Sequence, residues 1–328
     1  MQEYDIAIIG GGPVGMFAAF YAGLRDTKAV LIESMATLGG QVSALYPEKH
    51  IFDVAGFPNI KGRDLVEQLT QQMAKFPIEV LTHTTVSDVV KQDERFIITT
   101  NQSMIVAKSI IVATGKGAFE PRKMQIEGVE PLVGHGVHYF VPDPEQFRNH
   151  DIAIAGGGDS AVDMAVMLNE VANQTTIIHR REQFRAMEQS VKALNASDID
   201  QETPRRVVQV MPTVSQKLEI TLAHVKNPDD IQTIVVDDLI INYGFISENK
   251  TVLGWQAQPE SVMQGMIVNQ EMATNIPGYF VIGDANYYDG KNDLIAIGFG
   301  EAPAAINAAI RFFDPHRGGP GHSSAMSL

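Results

Sequence analysis

The chain has no cysteine. That absence excludes a disulfide, an iron–sulfur cluster, a thiolate zinc site and a redox-active dithiol. It also removes cysteine usage as a guide to compartment. Basic residues are scarce: 25 Lys and Arg stand against 39 Asp and Glu, for a net charge of −14. Such a balance argues against nucleic acid or an anionic membrane surface as the main partner. No apolar run approaches the roughly 18 residues that a bilayer-spanning helix needs. The N-terminus lacks a basic stretch followed by an apolar core, because Asp5 interrupts it. It therefore reads as having no signal peptide, and the expected compartment is the cytoplasm. The single tryptophan, Trp255, reads as a core residue. His135 and His138 have no further ligands clustered near them in the sequence, so no metal is expected.

What is present is a duplicated glycine pattern. The first copy is Gly10-x-Gly12-x-x-Gly15, after the apolar run 6–9 and before Val30-Leu31-Ile32-Glu33. The second is Gly156-x-Gly158-x-x-Ala161, after 152–155 and before Thr176-Ile177-Ile178-His179-Arg180-Arg181. Glu33 lies 23 residues after Gly10, and His179 lies 23 residues after Gly156. The stretches align as one βαβ module used twice, with an acid ending one copy and a basic cluster ending the other.

In such a module the first glycine makes a tight turn and the second lets backbone approach a pyrophosphate. The third lets the helix pack on the sheet. The helix N-terminus, beginning at Pro13 or at Asp159-Ser160, offers N–H groups and a partial positive charge to phosphates. Glu33 is suited to accept hydrogen bonds from ribose hydroxyls. Arg180 and Arg181, with Arg185 nearby, are suited to attract a 2′-phosphate that a carboxylate would repel. The sign change thus predicts two different dinucleotides, with NADPH favoured over NADH at the second.

Strands are expected at 4–9, 29–33, 78–81, 85–90, 96–100, 104–107 and 110–112, with helices at 12–23 and 62–75. Residues 38–41 read as a loop. The second module occupies 151–179, followed by strands near 206–211, 217–224 and 231–241. A helix is expected over 302–313, with Pro303 near its first turn. The expected fold is α/β: two Rossmann-like dinucleotide-binding domains, the second inserted in the first. Residues 1–117 and 246–328 form one domain, and 118–245 the other.

Several further segments carry a resemblance. With the two fingerprints, Gly39-Gly40-Gln41, Ala113-Thr114-Gly115 and Thr274-x9-Asp284 resemble the thioredoxin-reductase-like flavoproteins across nearly the whole chain. That family carries a Cys-x-x-Cys before the second fingerprint, where this chain has Phe140 and Asp143. Three further segments resemble the ferredoxin(flavodoxin)–NADP⁺ reductases of the same type. They are Gly39–Lys49, Asp53–Pro58 and Gly298–Ala302, and the tail residues His322-Ser323-Ser324 join them.

The resemblance implies FAD in the outer domain and NADPH in the inserted one. It implies FAD contacts from Gly40, Gln41, Tyr46, Val86, Thr114, Gly115, Phe119, Asp284 and Ser324. Tyr46 and His322 would stack on the flavin, the tail coming from the same subunit or a partner. No catalytic residue beyond the flavin is expected. It also implies a homodimer and a transient ferredoxin or flavodoxin partner, met by hydride transfer and then one-electron steps. An acidic partner would need a basic surface; Lys61/Arg63, Arg122/Lys123 and Lys291 are the candidates. A second reading changes the acceptor to free flavin, quinone, oxygen or a separate disulfide protein, or makes the chain a component of a multi-protein redox system. A third makes the chain a non-catalytic FAD/NADP(H) sensor.

Overall fold

A computed structural model describes residues 2–248, 252, 254–263 and 265–319, with the side chains of 118–120 and 245–248 left aside. The chain divides into two compact units, Met1–Ala118 with Ser247–Leu328, and Phe119–Ile246. The two crossings, Ala118–Pro121 and Phe245–Glu248, pair with each other as a two-stranded ribbon.

In the first unit, strand Gln2–Ile9 lies between Ala29–Ile32 and Met104–Val112, all parallel. Glu79–Leu81 extends one side. On the other side, Met104–Val112 pairs antiparallel with Arg95–Thr100 through its first half. Through its second half it pairs parallel with Tyr279–Val281. Ile6, Ile8, Val30, Leu31 and Ile110–Val112 are fully buried, as continuous apolar runs in a sheet covered on both faces should be. Helix Pro13–Leu24 packs against Gly62–Met73 and Ile295–Phe313. Its buried residues Gly15, Ala18, Ala19 and Ala22 are small enough for close approach. Trp255 sits in this core at 1% exposure.

The second unit repeats the plan. Five parallel strands run in the order Val137–His138, Asp238–Ile241, Asp151–Ala155, Gln174–Ile178, Asp200–Glu202. Successive side chains of a strand point to opposite faces, and the sequence exploits this. Ile152 and Ile154 pack with helical residues Val162, Ala165 and Leu194. Ala153 and Ala155 pack instead with Val207, Ile220 and Leu222 of an antiparallel three-stranded sheet, Arg205–Pro212, Leu218–His224 and Ile231–Val236. Among the described residues no helix is long and apolar enough to cross a membrane.

Four local expectations are corrected. Gly40–Leu45 is a short helix, not a loop, its start set by Gly39 in the left-handed region. Residues 104–112 form one strand, because Lys108 turns outward to Asp5 (2.7 Å) and Ser109 is buried. Residues 231–241 divide into two strands of different sheets, broken where the Asp237 N–H donates to the Asp151 carbonyl at 2.7 Å. The C-terminal helix begins at Ile295, so Pro303 is interior. Proline there cannot donate to the Phe299 carbonyl, yet the helix continues to Phe313.

Candidate functional site

The two modules share backbone geometry beyond their glycines. The Gly10 N–H donates to Ile32 O at 2.8 Å, and the Gly156 N–H to Ile178 O at 3.0 Å. The Ala113 N–H donates to Ile9 O, and the Asn242 N–H to Ala155 O, each at 2.8 Å. Each module therefore closes the same way around the start of its helix.

In the first module, Gly10 has φ +111, and a Cβ there would come within 3.0 Å of the Ala113 carbonyl. A Cβ at Gly15 would collide with the Gly10 carbonyl oxygen. Gly12 differs: a Cβ there would meet nothing within 4 Å. The helix that begins at Pro13 has no side-chain cap. The turn is thus packed at Gly10 and Gly15 and open at Gly12, which is the cradle a diphosphate needs.

Glu33 is buried, and three donors hold its carboxylate. The Gly11 N–H reaches Oε2 at 2.7 Å, while Met35 N–H (2.8 Å) and Ser34 Oγ–H (3.1 Å) reach Oε1. Gly11 is a partner that the fingerprint does not name; its signal is the unbroken Gly10-Gly11-Gly12 run. The Thr84 N–H donates to the Glu33 carbonyl at 2.9 Å, so the turn entering Val86 runs beside the acid. Gly40 lies against the Gly12 backbone, and Gln41 Nε2 lies 3.9 Å from where a Gly115 Cβ would be. Thr114 Oγ1 is buried without a hydrogen-bond partner. Tyr46 is half-buried; burial, then the charges of Asp284 and Asp53, push its phenol up to about 12. Burial, followed by Asp293, also raises the Asp284 carboxyl above its ordinary range. Gly283, beside Asp284, and Gly298 both lie against Val14. The structure therefore gathers Gly10, Gly12, Pro13, Gly15, Glu33, Gly40, Gln41, Thr114, Gly115 and Asp284 around one helix start. His322 and Ser324 lie outside the described residues, as does the side chain of Phe119.

In the second module, His179 packs on Gly157 and stacks on Phe184 with ring centroids 5.4 Å apart. Burial, then the charges of Arg180 and Arg181, lower its pKa, so the imidazole is neutral at pH 7. The positive charge of this cluster accordingly comes from arginine. Arg180, Arg181 and Arg185 line a cleft of about 540 Å³ with Phe184, Pro204 and Val225. Among the described residues, no carboxylate pairs with these three guanidiniums. Arg185 is placed by its own N–H, which donates to Gly157 O at 2.7 Å. Asp159 fixes the same loop by accepting from the Met187 N–H at 2.7 Å. Ser160 accepts from Asn242 through its carbonyl at 3.1 Å. Ala161 is buried against Gly156. Glu182 and Lys226, paired at 2.9 Å, line the same cleft, so the three arginines leave it an excess of positive charge of the kind that suits a phosphomonoester.

The family can now be stated. The model for pyridine nucleotide-disulphide oxidoreductases matches residues 4–310. The chain is 64% identical to the ferredoxin–NADP reductase of Leuconostoc mesenteroides, over 100% of this chain and 98% of that one. It is 47% identical to the enzyme of that name from Lactiplantibacillus plantarum, over 99% and 98%. This chain belongs to the ferredoxin–NADP reductases of that family. The crystal structure of Lactococcus lactis thioredoxin reductase matches with a TM-score of 0.79 at 28% identity, covering 94% of this chain and 98% of that one. The crystal structure of T. acidophilum thioredoxin reductase shares the fold at a TM-score of 0.80 and 20% identity, covering 94% of this chain and 98% of that one. Unlike a disulfide-reducing family member, this reductase has no cysteine with which to perform dithiol chemistry.

Among the expected docking cations, Lys291 is withdrawn from the surface, whereas Lys61, Arg63 and Lys123 stay partly exposed in ion pairs. Lys61 and Arg63 both pair with Glu48, at 2.8 and 2.7 Å. Lys123 pairs with Glu130 at 2.6 Å. Lys291 is buried and pairs with Glu301 at 2.6 Å. Three carboxylates thus meet these four cations, Glu48 serving two of them, a pairing that residue spacing alone does not reveal.

A separate cluster lies at the other end of the second unit's sheet. His138 Nε2–H and His150 Nδ1–H donate to the two oxygens of buried Asp238, each at 2.7 Å. Burial pushes the Asp238 carboxyl up, but the two histidine hydrogen bonds outweigh it and leave the pKa lowered. A lowered carboxyl contributes stability above its unfolded pKa of about 3.9 and loses it as pH falls through the folded value. Asp238→Asn should therefore cost about 2 kcal/mol at pH 7. The gap from the parent protein should narrow below about pH 4. Denaturation curves at pH 7 and pH 3.5 check this; an unchanged gap would count against it.

Proposed function

We propose that this reductase binds FAD at the Glu33 module and NADPH at the Arg180–Arg181 module, and exchanges electrons with ferredoxin or flavodoxin. The observation that carries the reading is the pair of matched cradles that end in charges of opposite sign. A buried carboxylate beside the first suits ribose hydroxyls. Three unpaired guanidiniums beside the second suit a 2′-phosphate. The orphaned Thr114 hydroxyl and the open face at Gly12 supply the polar and steric fit for a diphosphate-linked cofactor.

Bound FAD would supply the change from two-electron to one-electron transfer. The chain's own residues bind and orient. The first turns of Pro13–Leu24 and Asp159–Leu168 direct N–H groups and positive helix ends at the phosphates. Tyr46, a neutral phenol at pH 7, presents a ring rather than a charge. With no cysteine to receive electrons, the outlet is another molecule, and the names of the close relatives support a ferredoxin. We further propose a cytoplasmic homodimer, a reading that rests on family likeness.

Anaerobic mixing with NADPH should bleach the flavin absorbance, and added ferredoxin or flavodoxin should restore it. Purified protein that takes up FAD but is not bleached by NADPH would remove the enzymatic reading.

A further inference from the structure

Lys291 and Glu301 form an ion pair whose side chains are 5% and 4% exposed. Burying two charges costs several kcal/mol per ion, and apolar residues of similar size often serve stability as well. The pair is therefore weakly explained by stability, and its surroundings suggest another use. Glu301 Oε2 accepts from the Gly283 N–H at 2.7 Å and from Asn286 Nδ2 at 3.0 Å. Glu301 Oε1 accepts from the Tyr288 hydroxyl at 2.9 Å and from Lys291 Nζ at 2.6 Å. Four donors thus converge on one carboxylate, and the first is the backbone of the residue that precedes Asp284. Gly283 itself rests against Val14, in the first turn of the fingerprint helix. Glu301 is carried by the helix Ile295–Phe313, whose Gly298 packs on the same valine. Lys291 also acts electrostatically on Asp284, opposing the rise in its pKa.

We propose that Glu301 is a positioning residue for the FAD site, fixing the Gly283–Asp284 turn and balancing Lys291 as a buried positive charge beside it. The inference rests on the FAD reading given above. Two charges of opposite sign near a flavin should shift its reduction potential in opposite directions when each is neutralised. Reduction adds negative charge, so an uncompensated Lys291 favours the reduced form and an uncompensated Glu301 disfavours it.

The test measures the two-electron midpoint potential and the FAD affinity of the apoprotein in Glu301→Gln, Lys291→Gln and the double variant. Glu301→Gln should bind reduced flavin about tenfold better relative to oxidised, an upward shift of about 30 mV. Lys291→Gln should shift it downward by a similar amount, and the double variant should return toward the parent value. Both single variants should hold FAD about tenfold more weakly, because the Asp284 turn is loosened. A merely structural pair would weaken FAD in both variants without opposite shifts, and that result would overturn the proposal. FAD uptake with unshifted potentials would overturn it while leaving the proposed function standing. A parent protein that takes up no FAD would overturn both.

Discussion

Replacing Arg180 and Arg181 together by alanine is expected to raise the KM for NADPH about 100-fold and to erase its advantage over NADH. Hydrogen bonds to charged groups contribute about 1.5–3 kcal/mol each. Two at the lower end sum to about 3 kcal/mol, which is about 100-fold in affinity. The lower end applies because both arginines are exposed and water screens them. No carboxylate among the described residues is left unpaired by their removal, so the fold should lose little. The kcat should hold, since binding remote from the reacting atoms is removed equally from ground and transition states. Steady-state kinetics with both nucleotides checks this. A double variant that still prefers NADPH would refute the assignment of the second module. The corresponding change at His179 should matter less for charge, because that imidazole is already neutral.

Gly10→Ala and Gly12→Ala should separate folding from binding within one motif. Alanine at Gly10 must adopt φ +111 and overlap the Ala113 carbonyl. Backbone strain and overpacking each cost of order 1–3 kcal/mol, so about 3 kcal/mol of stability should be lost along with FAD. Gly12 has φ −70, an ordinary value, and its Cβ would enter open space. Alanine there should leave stability within about 0.5 kcal/mol of the parent and still abolish FAD retention, because the methyl occupies the cradle. Urea denaturation of the apoprotein and the flavin content of purified protein are the two measurements. If Gly12→Ala keeps its FAD, the diphosphate does not approach at this turn. Equal destabilisation by both substitutions would mean that the open face is filled by protein.

The fold class was legible because its signals are local. Buried parallel strands are continuous apolar runs, and the glycine turn between strand and helix has few other uses. The equal spacing of Glu33 and His179 made the duplication readable without any contact information. What escaped depended on partners distant in sequence. Lys291 reads as an exposed cation until Glu301 is brought beside it. Lys61 and Arg63 read as a basic patch until Glu48, thirteen and fifteen residues away, meets both. Pro303 reads as a helix start, because propensity places proline in a first turn. Packing overrode that preference by extending the helix back to Ile295, where Gly298 could settle against Val14. Gly11 escaped because the fingerprint treats its position as variable, whereas here its N–H is a ligand of the Glu33 carboxylate.

The burial of Trp255 gives the two units separate optical identities. All tryptophan emission of the chain arises from the core of the first unit, for the sequence has no other indole. Unfolding of the second unit is silent in that signal but visible in the far-ultraviolet dichroism of its strands. Curves followed by the two probes will superpose if the units melt as one cooperative block and will part if they do not.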